Sequence, residues 1–403
     1  MKVLYKADFT SPSGYSRAAR AHARALIEAG VDVLCEDLKH DIASIELDEF
    51  WSVELPRRVG RHERAPIALW HHTPEYYQPS PAQLNVGLVA WETSEAPKYD
   101  IPTARHNWTK QLNKMHAVWT FSQAAKRALE KAQVERPIDV TPHPIDHSIY
   151  HPGDDGAGVL YGPDREPLDD HFKFLSVFQW HARKDPYSLI LAYLSEFHPD
   201  EKTALVLKTY VNKTGDIQSV LGQLERIKKG TRLPHDYARI FVVPSVLSDQ
   251  EMAELYRSVD CYVSTSRGEG FCLPAAEALA CGVPVIVPGA SSFKDYVTEN
   301  VGYLVKTHEE PVYGMPQLPW YYSTQNWHRT DILDLRRRMR EAVALPDACK
   351  DRAEKAPGAV RAFSSEKVGQ WMRSQLEALL AGASSTSTRA APAVPESAGT
   401  PSA

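Results

Sequence analysis

The chain has 403 residues, 43% of them apolar and 24% charged, which is the make-up of an ordinary globular protein of two or three domains. A formal net charge of −5 gives no footing for nucleic acid as a partner. No run approaches the ~18–20 apolar residues that a membrane span requires.

In chain order, Met1-Lys-Val-Leu-Tyr-Lys6 opens as a strand, not as a signal peptide. Val3 to Ala7 is the strand proper, and Ser11-Pro-Ser-Gly-Tyr-Ser16 is a turn. Arg17 to Ala29 reads as a helix with one small apolar face (Ala18, Ala21, Ala25, Leu26), closed by Gly30. With the strand Val31 to Leu34 this makes a β-α-β start whose glycine turn lets backbone amides approach phosphate, without the Gly-x-Gly-x-x-Gly dinucleotide fingerprint. Ile67-Ala-Leu-Trp-His-His-Thr-Pro74 is a strand ending in polar residues, where open α/β sheets face their ligand. Alternation puts His71 and His72 on opposite faces, so one of them faces the ligand side. Val86 to Ala90, ending in Trp91-Glu-Thr93, and Ala117 to Ser122 are further strands, with a short helix from Gln123 to Ala132. Glu92 is either an acceptor contact or a solvated loop carboxylate. Five cysteines (Cys35, Cys261, Cys272, Cys281, Cys349), odd in number and without Cys-x-x-Cys spacing, favour a reducing cytosol over a disulfide or zinc framework.

Residues 153–170 are rich in Gly, Asp and Pro without periodicity and read as an interdomain linker. Phe172 to Phe178 begins a second set of elements, with a loop Gln179-Trp-His-Ala-Arg-Lys-Asp-Pro186 and a helix from Tyr187 to Phe197. Leu205 to Lys208 is a strand that sets the cation of Lys208 at its carboxyl end. Ile240 to Val243 is another, with Ser248 or Asp249 capping a helix over Gln250–Ser258. Ala290 to Val297 reads as a helix and Gly302 to Val305 as an edge strand. Residues 310–331 form an aromatic- and proline-rich insertion, which either folds over the ligand or packs as a surface loop. Helices follow over Leu333–Ala344 and Ser365–Leu380, the last with Val368, Trp371, Met372, Leu376 and Leu379 on one face. Residues 383–403, all small or polar, read as a disordered tail.

The most informative stretch is 259–287. A short apolar strand reaches Ser264, a turn carries Gly268 and Gly270, and Pro274 occupies the first turn of an alanine-rich helix that stops at Gly282; Val283 to Val287 is the next strand. Glu269 stands in the turn and Glu277 at the start of the helix. Helical side chains lean toward the N-terminus, so Glu277 reaches back to the space that Glu269 faces. The amides from Gly270 through Phe271, Cys272 and Leu273 point into the same space, where the helix dipole favours negative charge. Amide donors with two separate carboxylates suit a ligand that carries both phosphates and hydroxyls, such as a nucleotide sugar.

This frame resembles that of the family 4 glycosyltransferases, retaining enzymes of the two-domain GT-B fold, whose hallmark is Glu-x7-Glu in a Ser-x-x-Glu-Gly-Phe-Gly-Leu-Pro setting. Ser266, Glu269, Gly270, Phe271, Leu273, Pro274, Glu277, Ala278, Gly282, Pro284 and Val285 match in register, and Cys272 stands where the family has glycine. The likeness covers about residues 1–381. It implies an α/β fold of two Rossmann-like domains facing each other across a cleft: an acceptor domain at 1–152, a donor domain at 171–364, and a helix at 365–382 that crosses back to the first domain.

The resemblance also implies roles. Gly14, with Ser16, lies against the donor diphosphate, and the His-x-Pro pattern of His72-Thr-Pro74 lies under the transferred sugar. Lys184 and Arg183 grip the diphosphate, although Gln179 replaces a usual arginine and Asp185 a usual glycine. Val246 and Leu247 line the base slot, Glu269 holds sugar hydroxyls and Glu277 the ribose. His143 and Asp146 read as structural. The implied reaction moves a sugar from a nucleoside diphosphate to a hydroxyl of a glycan or lipid-linked acceptor, with no cofactor and no metal. Asp-x-Asp, the metal–diphosphate motif of the other glycosyltransferase fold, is absent from the chain. Arg57, Arg58, Arg61 and Arg64, diluted by Glu54 and Glu63, offer peripheral contact with anionic lipid as the alternative to a solvated loop. A cytoplasmic location, at most peripheral to a membrane, follows. The competing reading is a non-catalytic nucleotide-sugar or glycan binder, and the base, uracil or guanine, stays open.

Overall fold

The computed structural model describes residues 1–11, 13–38, 47–59, 65–80, 83–153, 168, 170–210 and 217–381. The tail expected at 383–403, and nearly all of the linker expected at 153–170, lie outside them. The described chain falls into two compact units, each built on a six-stranded parallel sheet: residues 1–145, 316–325 and 362–381 form the first, residues 146–315 and 326–361 the second.

In the first unit the strands are β1 Lys2–Ala7, β2 Asp32–Asp37, β3 Ile67–His71, β4 Leu84–Leu88, β5 Ala117–Thr120 and β6 Ile138–Val140, in the order β2-β1-β3-β4-β5-β6. Every neighbouring pair is parallel. β3 and β5 are buried along their whole length, as strands covered on both faces must be. The helix after β1 spans Gly14–Glu28 and buries Ala18, Ala19, Ala23, Ala25 and Leu26. It begins three residues before the expected Arg17, because the Ser13 side chain caps it by accepting from the Ser16 amide. The helix Ser365–Leu380 packs on it so closely that a Cβ at Gly369 would stand 2.2 Å from the Ala25 carbonyl oxygen. A core of Trp70, Tyr77, Trp91, Trp108 and Leu129 fills the space on the β4–β5 side.

In the second unit β7 Phe172–Gln179, β8 Thr203–Tyr210, β9 Arg239–Val243, β10 Cys261–Val263, β11 Val285–Pro288 and β12 Gly302–Val305 run in the order β12-β11-β10-β7-β8-β9. This is the doubly wound order, whose reversal falls between β7 and β10, the place where open α/β sheets take their ligands. Phe174, Leu189, Tyr193, Phe197, Leu205, Leu207 and Val263 form its core.

The insertion is an antiparallel hairpin, β13 Thr307–Pro311 and β14 Asn326–Thr330. Its tip, residues 316–325, belongs to the first unit, not to the donor domain where the sequence placed it. There Tyr321 stacks on Trp91 at 5.5 Å and donates to Glu92 at 2.8 Å, while Trp320 leans on Trp108. Residues 290–297 form only a short 3-10 turn, Ser291–Asp295. Helices at Glu49–Arg58, Ile217–Thr231 and Pro346–Val360 add to those expected. Among the described residues no helix is long and apolar enough to cross a membrane.

Candidate active site

Two loops of the second unit meet at the reversal of strand order. The first leaves β7, makes one 3-10 turn at Ala182–Lys184, and enters the helix Pro186–Glu196 through Asp185. Asp185 holds a left-handed backbone (φ 49°, ψ 55°), and its carboxylate caps the helix by accepting from the Ser188 amide and, at 2.8 Å, the Ser188 hydroxyl. The second loop leaves β10 and enters the helix Leu273–Ala280 through Cys272, also left-handed (φ 69°, ψ 72°). These are the two positions where the sequence departs from glycine. Both keep the backbone that glycine adopts most easily.

Hydrogen bonds lock the loops together. The Thr265 hydroxyl donates to the Asp185 carbonyl at 2.9 Å and lies 3.1 Å from that of Lys184, and the Arg267 amide donates to Arg183 at 2.8 Å. The Ser291 hydroxyl accepts from the Glu269 amide and donates to its carbonyl, both at 2.9 Å. Tyr296 reaches the carbonyls of Phe271 and Cys272 at 2.9 and 3.1 Å.

Glu269 is buried at the centre. Lys184 donates to its Oε1, and Arg183 lies 3.2 Å from its Oε2 while donating to the Gly268 carbonyl at 2.6 Å. Burial works against ionisation, but the charges of Lys184 and Arg183, with hydrogen bonds from Lys184 and Ser266, prevail and hold the Glu269 carboxyl down at about 2. Glu277 is buried in the helix that follows and accepts from Tyr256 at 3.0 Å. Gly270, Phe271, Cys272 and Leu273 form the entry to that helix. Both acids are thus internal, and Glu269 is charge-paired.

Lys208 is buried on β8, and its ammonium forms no ion pair with a described residue; burial lowers its pKa. An internal cation without a counter-ion among the described residues suits a site that receives an anion. Val246, in the loop after β9, is 89% exposed and Leu247 is half-buried. Ser248 closes a capping box with Glu251 on the helix Asp249–Arg257. Two residues went unnoticed in the sequence. His181, held down to about 3 by burial and the neighbouring cations, sits beside Arg183 and Lys184. Arg267, inside the motif itself, is buried with Asp185 3.2 Å from its Nε. Arg267 occupies a variable position of a motif whose spacing signals only the acids, and His181 stands in the loop after β7, where the pattern singles out only the cations.

In the first unit Gly14 is the opening residue of its helix, and a Cβ there would meet no described atom within 4 Å. Ser16 is buried, its amide taken by Ser13 and its hydroxyl accepting from Arg20 at 2.8 Å. The two histidines separate as alternation requires. His71 turns inward to His22, Phe121 and the Tyr5 hydroxyl (2.8 Å), and His143 joins His22 at 5.0 Å. Among the described residues no group of His, Cys, Asp or Glu is arranged to hold a metal ion. His72 stands beside Tyr15 (6.1 Å, near-parallel), with its Nδ1 accepting from the Thr73 amide at 2.8 Å. That bond leaves the proton on Nε2, making His72 a donor through that atom. Glu92 is engaged by Tyr321. Arg57 and Arg58 pair with Glu54, and Arg61, Glu63 and Arg64 lie outside the described residues.

The fold and the paired loops define a two-domain α/β protein of GT-B type. Residues 235–312 match the family model described as Glycosyl transferases group 1. Over 178 residues the chain is 30% identical to D-inositol 3-phosphate glycosyltransferase 1 of Catenulispora acidiphila, covering 43% of this chain and 41% of that protein. Over 51 residues it is 45% identical to the GDP-mannose-dependent alpha-mannosyltransferase of Mycobacterium tuberculosis, 13% and 14% of the two chains. The chain thus spans less than half the length of these curated relatives. Similar solved structures include sucrose-phosphate synthase from Thermosynechococcus elongatus (TM-score 0.64, 15% identity, 95% of this chain and 100% of that one). Another is Anabaena Alr3699/HepE in complex with UDP-glucose (TM-score 0.63, 13% identity, 94% and 100%).

Proposed function

We propose that this chain is a retaining glycosyltransferase that moves a sugar from a nucleoside-diphosphate sugar to a hydroxyl of a glycan or lipid-linked acceptor. The observation that carries the reading is the buried Glu269 carboxylate held between Lys184 and Arg183 at the mouth of a helix, with Glu277 internal behind it. The match of residues 235–312 and the activities named for the partial relatives support it.

Breaking the anomeric C–O bond leaves negative charge on the diphosphate and cationic character on the sugar ring. Arg183, Lys184 and Lys208 would neutralise the first, with the amides after Gly270 and the amide of Gly14. In the unliganded protein Arg183 and Lys184 are held by Glu269, so an entering diphosphate would take them from that carboxylate. Glu269, ionised at any physiological pH, would bind sugar hydroxyls and favour the cationic ring. Glu277 would accept from the ribose hydroxyls, Val246 and Leu247 would border the base, and the Nε2–H of His72 would donate to sugar or phosphate. Ser16 supplies the amide that the Ser13 side chain caps at the start of the helix Gly14–Glu28. In this reading side chains and amides supply the counter-charge, so turnover should survive EDTA.

The test is incubation of purified protein with a panel of UDP- and GDP-sugars, reading free nucleoside diphosphate and transferred sugar. Turnover with retained anomeric configuration is expected. Saturable binding of nucleotide without release of diphosphate would instead identify a binder.

A further inference from the structure

We propose that Arg267 is a positioning residue that sets the Lys184–Glu269 pair; this rests on the transferase reading above. Arg267 lies two residues before Glu269, and its buried partner Asp185 directly follows Lys184. Their side chains meet at 3.2 Å, the carboxylate almost fully enclosed at 3% exposure. The Arg267 backbone is tied on both sides: its amide donates to Arg183, and its carbonyl accepts from the His328 amide on β14, each at 2.8 Å.

The hairpin completes the socket. The guanidinium carbon lies 4.7 Å from the ring centre of Tyr313 and 5.0 Å from that of Trp327, and Nη1 lies 3.6 Å from Glu310. Glu310 in turn accepts from the Trp327 indole at 3.1 Å and lies 3.3 Å from Arg329. A planar fork stacked on aromatic rings has one orientation, which a lysine in its place would not share. Arg267 therefore registers the β10 loop against the β7 loop and against the hairpin at once.

Charge explains why the register matters for chemistry. Arg267 is the cation beside the buried Asp185 carboxylate, and Glu310, which Trp327 and Arg329 also engage, lies within 3.6 Å of its Nη1. Without that guanidinium, the Asp185 carboxylate would keep its hydrogen bonds to Ser188 but be a buried charge with no cation beside it, and the loop that carries Lys184 would shift to relieve it. The cation and the acid proposed to act on opposite ends of the breaking bond would then lose their mutual placement. A misplacement of about 1 Å can lower a rate by roughly 10²-fold.

Three variants test this, each assayed for kcat, donor KM and melting temperature alongside wild type. Arg267→Lys keeps the charge and loses the fork. Asp185→Asn with Arg267→Gln removes both buried charges, so neither is stranded. Tyr313→Ala removes one stacking face at a residue 52% exposed, where folding tolerates the change. The expected result is a kcat lowered about tenfold or more in the first two variants and several-fold in Tyr313→Ala, with donor KM changed less. A purely structural role would shift melting and leave the kcat of folded protein unchanged. Wild-type kcat in Tyr313→Ala, and in whichever of the other two folds, overturns the proposal. A wild-type protein that turns over no nucleotide sugar fails the transferase reading instead.

Discussion

The Lys184 ammonium and the Glu269 carboxylate form a hydrogen-bonded ion pair although 85 positions separate them in the chain. Arg183 lies on the other oxygen of the same carboxylate. Glu269 therefore engages the two cations assigned here to the diphosphate, and any anion entering the site competes with it. Glu269→Gln removes the competitor. Its affinity for free UDP or GDP should rise several-fold in titration calorimetry, while transfer falls by orders of magnitude. Unchanged nucleotide affinity would show that the cations serve only Glu269.

Their partners separate the roles of the two acids. Glu269 holds a charge-paired position between the loops, whereas Glu277 is braced by Tyr256. Glu269→Ala is expected to lower kcat more than it raises donor KM, and Glu277→Ala to raise donor KM more than it lowers kcat. Steady-state kinetics of the two variants check the split.

Acid should weaken the first unit before it affects Glu269. His22 is held down to about 4 by burial, and His71 and His143 lie well below their usual value for the same reason, with His22 as a further repelling neighbour. The groups facing them are the Tyr5 hydroxyl, His72 and Arg17. A histidine whose folded pKa is depressed binds fewer protons than in the unfolded chain. Stability is then complete above about 6.5 and lost as pH falls toward 4, by at most roughly 1.4 kcal/mol per pH unit for each histidine. The contribution of Glu269 is lost only lower, between its unfolded value near 4.5 and about 2. Urea midpoints measured from pH 7 to pH 4.5 should fall steadily, and His143→Phe should flatten the slope. A flat profile in the parent would contradict the cluster.

Cys272 is enclosed with a left-handed backbone, and burial first, then the Glu269 charge, pushes its thiol up to about 12. Glycine should be accepted there with near-normal kinetics. A β-branched residue adds strain of at least ~1–2 kcal/mol, so Cys272→Val should melt several degrees lower. Equal melting of the Gly and Val variants would refute the backbone requirement.

Gly369 admits no side chain, because the Ala25 carbonyl already occupies the space of a Cβ. Gly369→Val should force the two helices of the first unit apart, destabilising by about 3 kcal/mol or more. Limited proteolysis should then cut within 362–381 first. A wild-type digestion pattern would show that the helices slide without loss.

Much of this molecule is written in short-range patterns. The strands at β1, β3, β5, β7 and β9 show as apolar runs, and the 259–287 motif shows by spacing, because a cap, a turn glycine and two acids lie within a few residues of one another. The helices Glu49–Arg58 and Pro346–Val360 escaped because Pro56 and Pro357 argue locally against helix while packing overrides them. The hairpin strand Thr307–Pro311 is half-exposed and charged, so its pairing with Asn326–Thr330 leaves no periodic trace.

Local chemistry along the chain thus determined the α/β class, the place of the acid pair and the choice between two adjacent histidines that alternation allows. Tertiary packing decided which of those histidines turned inward, gave Arg267 its socket on a hairpin some sixty residues onward, and let Asp185 and Cys272 keep the backbone of the glycines they replace. The reason is range. Caps and periodicities act between residues a turn or two apart, whereas buried ion pairs and ring stacks join segments whose proximity exists only after the chain has folded.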